Sequence, residues 1–168
     1  MNTSNRRPCY GVLCSAIVLA LLGGCGKKEQ NVAVPGGNVK VTQQAGGTTM
    51  EMSSSKGEKM KITASDKGVA LPANFPADVP IMPGATVKMA MSSGDALSVT
   101  FSVAASQADA LKYYEDNLKA KGWEIAATMN MGESAMLSAK KGKRECVMNA
   151  GKEGSGSMVQ LVAPLEKS

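Results

Sequence analysis

Methionine and cysteine carry the soft chemistry of this chain. Its 168 residues include twelve methionines, four cysteines and no histidine. Three methionine pairs recur as Met-x-Met, at Met50/Met52, Met89/Met91 and Met129/Met131. On a strand, residues two apart share a face, so each pair would present two thioethers together. Thioether sulfur prefers Cu(I) to hard cations. Met89 and Met91 are therefore the candidate Cu(I) ligands, although methionine also serves as an adaptable filler of small irregular cores. Core filling is the simpler expectation, and no cofactor is expected. The lack of imidazole excludes Ser-His-Asp triads and histidine-based zinc sites. Asp109, Glu115 and Asp116 read as helix-capping and solvent charges. Glu124, Glu133 and Glu145 stand singly, and no Ser-x-x-Lys opens a helix. With no base, nucleophile or paired carboxylate to name, the chain is expected not to be an enzyme.

The cysteines point elsewhere. Gly11 to Leu22 is an apolar run of 12 residues behind Arg6 and Arg7, followed by Gly23, Gly24 and Cys25. A membrane-spanning helix needs about 20 apolar residues. Twelve is the length of a signal-peptide core. Leu22-Gly23-Gly24-Cys25 resembles the bacterial lipobox. That resemblance implies a diacylglycerol on the Cys25 thiol, cleavage between Gly24 and Cys25, and a membrane partner reached through lipid. One acyl chain gives reversible attachment, and two or three on one residue hold firmly. Gly26 follows Cys25 where an Asp would favour inner-membrane retention. In a Gram-negative source the expected location is the outer membrane, facing the periplasm.

Removal of residues 1–24 takes away Cys9 and Cys14 and leaves 144 residues, enough for one domain and a tether. With Cys25 lipidated, Cys146 is the remaining thiol, expected to be buried and inert. The net charge of +5 falls to +3 once Arg6 and Arg7 leave. That balance suits solubility or anionic headgroups. No basic-aromatic stripe accompanies it, so nucleic acid is not an expected partner.

The elements that would position these residues follow in order. Residues 25–37, with Lys27-Lys28-Glu29 and Pro35-Gly36-Gly37, read as a flexible tether. Residues 38–70 alternate weakly, at Val39-Lys40-Val41, Met50-Glu51-Met52 and Met60-Lys61-Ile62, and read as a β-meander. Residues 71–164 read as the main domain. Its entry, Leu71 to Ala85, holds four prolines, which rule out a helix or a central strand. The expectation is an extended clamp with Phe75 tucked in. Thr86 to Ser92 would place Val87, Met89 and Met91 on one face, and Leu97 to Val103 would bury Leu97, Val99, Phe101 and Val103. A helix is expected over Gln107 to Lys121, capped by Ser106 with Asp109 at the third position. Its apolar stripe is Leu111, Tyr114 and Leu118, and Gly122 follows it. Trp123 and Ile125 would face inward, and strands at 135–140, 144–150 and 158–163 close the chain. The expected fold class is α+β: a curved antiparallel sheet with one helix packed on it, preceded by the weak meander, the tether and the signal peptide.

LPANFPADVPIMPGATV (71–87) and YYEDNLKAKGWEI (113–125) resemble a family of small, uncharacterised bacterial lipoproteins, over roughly Leu71 to Ala163. Its motifs are structural punctuation and imply fold and location only. The expected role is thus a lipid-anchored, non-enzymatic accessory protein with an envelope protein as partner. The alternative is a small-ligand or Cu(I)-binding module built on the methionine pairs.

Overall fold

Strict alternation at Leu97-Ser98-Val99-Thr100-Phe101-Ser102-Val103 produces a strand with one dry and one wet face, and the rest of the core assembles on its dry side. The structure is a computed structural model that describes residues 28–44 and 46–165. The signal stretch, Gly24 and Cys25 lie outside the described residues. In chain order the elements are β1 (Lys28–Val34), β2 (Gly37–Gln44), β3 (Gly47–Ser54), β4 (Lys59–Ala64), β5 (Thr86–Ser93), β6 (Ala96–Val103), α1 (Gln107–Ala120), β7 (Glu124–Asn130), β8 (Ser134–Lys141), β9 (Arg144–Glu153) and β10 (Gly156–Pro164).

All ten strands form one antiparallel sheet in the order β1-β2-β3-β4-β5-β6-β10-β9-β8-β7. Only the β6–β10 neighbours are non-sequential. That junction is tight: a Cβ at Gly156 would lie 2.1 Å from the Val103 carbonyl oxygen, so glycine is required there. Helix α1 covers β7 to β10 on one face. Phe101 stands opposite Val159, Val99 opposite Leu161, and both Leu161 and Leu137 opposite Met148. These side chains, with Ala110, Leu111, Tyr114 and Leu118 of α1, form the core. Each fully buried Leu, Phe or Met contributes about 1.5–3 kcal/mol. The helix begins where its cap dictates. The Asp109 amide donates to Ser106 Oγ at 3.1 Å, and Ser106 Oγ donates to an Asp109 carboxylate oxygen at 2.7 Å. It ends at Ala120, with Lys121 as the C-cap and Gly122 at φ +81°.

The α+β expectation is overturned. Strands account for 58% of the described residues and helix for 10%, so the described part of the chain is mostly β, with a single short helix among the described residues. Residues 38–70 read as a weak meander whose relation to the main sheet the sequence left open; β2 to β4 are part of the same sheet, joined through β4–β5 pairing. Lys28 to Val34, assigned to the tether, is β1, paired along its length with β2. The physical reason lies in the backbone. β5 would otherwise be an open edge with unpaired amides, and Val, Thr and Met at alternate positions let four further strands extend it.

The Pro-rich segment is also different from an extended clamp. It runs as successive tight turns, with amides of Phe75, Val79 and Ala85 donating to carbonyls of Pro72, Pro76 and Met82 at 3.0–3.1 Å. Pro76, Val79 and Pro80 are its buried anchors, while Phe75 is half-buried against the core. The loss of proline amides makes turns a better solution than a strand here.

Stability is thus concentrated under α1. Leu137→Ala should lower the unfolding free energy by about 2–5 kcal/mol. Val32→Ala on the exposed β1 should change it by less than about 0.5 kcal/mol. Urea titrations followed by Trp123 fluorescence test both.

Candidate functional site

A one-residue bulge in β5 decides where the methionines go. Val87 pairs with Phe101, and the next paired residue, Met89, stands opposite Thr100, leaving Lys88 as the extra residue. The bulge reverses the alternation. Val87 therefore lies on the helix side of the sheet with Phe101, Ala90 is buried on that same side, and Met89 and Met91 lie on the opposite face. The expectation that Val87, Met89 and Met91 share a face is corrected accordingly.

On that far face the pairing brings Met91 opposite Ile62, Ile62 opposite Met50, and Met50 opposite Val41. The neighbouring row runs Ser93, Met60, Met52, Val39, Val32. Five methionines, Met50, Met52, Met60, Met89 and Met91, thus occupy one continuous patch. Met129 lies on the same face but at the β7 end, opposite Met136. Met131 falls beyond β7, so the third Met-x-Met pair is not a strand pair. The thioethers are spread over an open surface: Met52 is 40% and Met89 42% exposed. Apart from Lys88 at the bulge, β2 to β6 and β10 place no charged side chain on this face. The helix-side face of β1 to β4 carries the charges instead. Lys40 pairs with Glu29 at 3.3 Å and Lys61 with Glu51 at 3.1 Å.

Cys146 is fully buried in β9. Burial pushes its thiol up to about 12, with the nearby Asp78 charge adding and Arg144 opposing. A neutral buried thiol is a poor nucleophile and a poor metal ligand. Among the described residues, no group of three or more Cys, Asp or Glu is placed to hold a metal ion. The candidate acids are dispersed. Asp116 is paired with Lys112 at 2.8 Å and Glu115 with Lys119 at 2.6 Å, each one helical turn apart. Glu145 accepts a hydrogen bond from Ser138 at 2.9 Å, and Glu133 faces Lys152 at 3.7 Å.

One polar cluster escaped sequence reasoning. The Asp78 carboxylate, in the Pro-rich segment, receives Arg144 in a two-pronged bond at 2.8 and 2.9 Å and Lys141 Nζ at 2.9 Å. Arg144 also lies 5.1 Å from the centre of the Trp123 ring, and Trp123 Nε1 donates to the Asp78 carbonyl at 3.0 Å. Tyr113 Oη donates to the Ile81 carbonyl at 3.0 Å. The cluster fastens the Pro-rich segment to the β8–β9 hairpin and to α1. An aspartate between two prolines, unable to join a strand ladder, was the available sequence signal. Its partners, 63 and 66 residues away, left none. Burial pulls the Asp78 carboxyl upward, but the Arg144 and Lys141 bonds outweigh it and hold it below its ordinary 3.8.

The space between α1 and the sheet is filled. Phe101, Tyr114, Leu118, Leu137 and Met148 show no exposed surface there. Indentations on the described surface include one between Val39, Met52 and Met60 at one end of the far face, one around Met136, Asn149 and Gln160 at the other, and one on the helix side between Thr63, Ala90 and the Pro-rich residues Leu71, Pro72 and Asn74.

Residues 85–156 are similar to the START domain-like family, an uncharacterised family. The match takes in β5 to β9 with α1 and covers less than half of the chain. START-like domains have a helix-grip fold; here the helix covers four strands of a ten-stranded sheet. The similarity reaches neither the Pro-rich stretch 71–84 nor Cys25. No curated protein and no solved structure gives a significant match to the chain.

Removing the Asp78 charge tests the cluster. Asp78→Asn should lower the unfolding free energy at neutral pH by about 1–2 kcal/mol. Because the native carboxyl titrates below its ordinary value, the unfolded chain takes up the proton first on acidification. The parent should therefore lose that margin as pH falls from the ordinary carboxylate range through the lower native value. Urea midpoints of the two proteins should converge in acid.

Proposed function

We propose that the chain is an exported bacterial lipoprotein, anchored through Cys25, that acts by surface contact within the envelope and not by catalysis. The observation that supports this reading is the location of its uncommitted apolar surface. The methionine-rich residues lie outside, on the far face of β1 to β5, and the space under α1 is occupied by the protein's own side chains. A protein with that distribution has a broad surface for a partner and little room for an enclosed substrate. The apolar run, Leu22 and the glycines before Cys25 support export and acylation, and Gly26 supports outer-membrane placement in a Gram-negative source. Among the described residues no helix is long and apolar enough to cross a membrane.

A second reading follows from the START domain-like match: a module that binds a small ligand; its copper variant, Cu(I) on Met89 and Met91, rests on the methionine spacing alone. The two differ in what travels with the protein. An accessory protein carries a stoichiometric envelope partner, and a ligand-binding module carries a small molecule.

The decisive experiment expresses the full chain in a bacterium and determines the mass of its N-terminal peptide after detergent extraction. The expected product begins at Cys25 and bears a diacylglycerol. Cys25→Ser should abolish acylation and leave residues 1–24 uncleaved. An unmodified Cys25 in the parent would overturn the anchored reading. Native mass spectrometry of the extracted protein checks the second reading, which would be supported by a bound lipid beyond the covalent one or by bound copper.

A further inference from the structure

We propose that the far face of β1 to β5 rests on the lipid surface, so that the sheet itself, and not only the acyl chains, contacts the membrane. The proposal deepens the anchored reading and uses it for one step, the position of the lipid.

The first observation is distance. Cys25 stands three residues before Lys28, where β1 begins. Three residues reach at most about 10 Å. A flexible tether of 13 residues would have let the protein stand off, but β1 takes up most of that stretch in sheet pairing. The edge strand is therefore held against whatever surface holds Cys25.

The second observation is sidedness. Val32, Val39, Met52 and Met60 align across β1 to β4, and Val41, Met50, Ile62 and Met91 align beside them. Val32 is 50% and Val34 41% exposed, on the strand nearest the anchor. Charge is partitioned to the other face, in Glu29, Lys40, Glu51, Lys59 and Lys61. On the far face of β1 the charged residue is Lys28, at the end next to Cys25, where a cation would meet headgroup phosphates. Five strands at about 4.8 Å spacing give a platform roughly 20 Å wide. Such a platform lies on a bilayer and does not span it, since its opposite face is charged.

A second copy of the chain is the competing occupant. It would have to diffuse to the face, whereas a surface tethered within about 10 Å is present at a high effective concentration. Methionine side chains, unbranched and adaptable, also suit a fluid surface better than a fixed protein interface.

The test reconstitutes the full acylated protein in phosphatidylethanolamine–phosphatidylglycerol vesicles that contain a phospholipid with a photoactivatable acyl chain. Adducts are mapped by peptide mass spectrometry. The expected result is labelling of peptides from β1 to β5 that contain Val32, Met52 or Met89, with α1 unlabelled. Val32→Glu combined with Met52→Glu, at exposed positions, should reduce that labelling several-fold while the thermal transition and the acylated N-terminal peptide remain as in the parent. Adducts confined to the residues next to Cys25 would overturn the proposal. Protein–protein crosslinks joining the methionine faces of two copies would also overturn it. An N-terminal peptide without lipid would defeat the anchored reading instead, and labelling of β1 to β5 in that sample would leave the face contact standing.

Discussion

The extra residue at Lys88 is the constraint on which the two-sided character of the molecule depends. A strand with side-chain period two sends every apolar residue to one face, and a single inserted residue transfers all later ones to the other. Val87, before the bulge, packs toward Phe101 and the helix. Met89 and Met91, after it, point away, and Ala90 takes the inward position with a side chain small enough for the margin of the core. β4 pairs only with the part of β5 beyond the bulge, so Met60 and Ile62 register with the outward set. β3, β2 and β1 inherit that choice strand by strand. The sheet is continuous in its hydrogen bonds but changes its apolar side near the middle.

This inversion divides the energetics as well. From β6 to β10 the backbone ladders are reinforced by a packed core under α1, and opening them would expose Phe101, Leu137, Met148 and Leu161 together. From β1 to β4 no side chain is fully buried, and β1 is exposed throughout. These strands are held by ladder hydrogen bonds, by half-buried cross-strand contacts and by surface ion pairs that contribute little on their own. A sheet of this kind has a gradient of local stability, lowest at β1 and highest under the helix. The same gradient places the least protected strand next to Cys25, where an anchor would limit its freedom and shield its unpaired edge.

Much of the stable half was legible in the sequence. Ser106 with Asp109, the Leu111-Tyr114-Leu118 spacing and Gly122 delimit α1, because caps and periodicity are local and need no knowledge of partners. The alternation from Leu97 to Val103 is equally local. The bulge was not legible: TVKMAMS alternates without interruption, and only pairing with β6 reveals that Lys88 is skipped. The membership of β1 to β4 in the main sheet was hidden for a related reason. Their apolar residues are few and modest in size, and what recruits them is the open edge of β5, a property of assembled structure. The Asp78 cluster is the extreme case, since its partners are contributed from the other end of the chain by the β8–β9 hairpin.

The methionine pairs were noticed in the sequence for their sulfur, and the fold gives them a different meaning. Ligation of Cu(I) needs several thioethers converging on one point. The sheet instead spaces these side chains along one face, strand by strand, and Ile62 separates Met50 from Met91 across the strands. What this arrangement retains is a soft, uncharged surface whose side chains can change rotamer at small cost. Valine and isoleucine at the same positions would have satisfied strand propensity better, being stiff at χ1 and suited to a fixed interface. Choosing methionine at five positions on one face relinquishes some of that rigidity, which is consistent with contact against something that has no fixed shape.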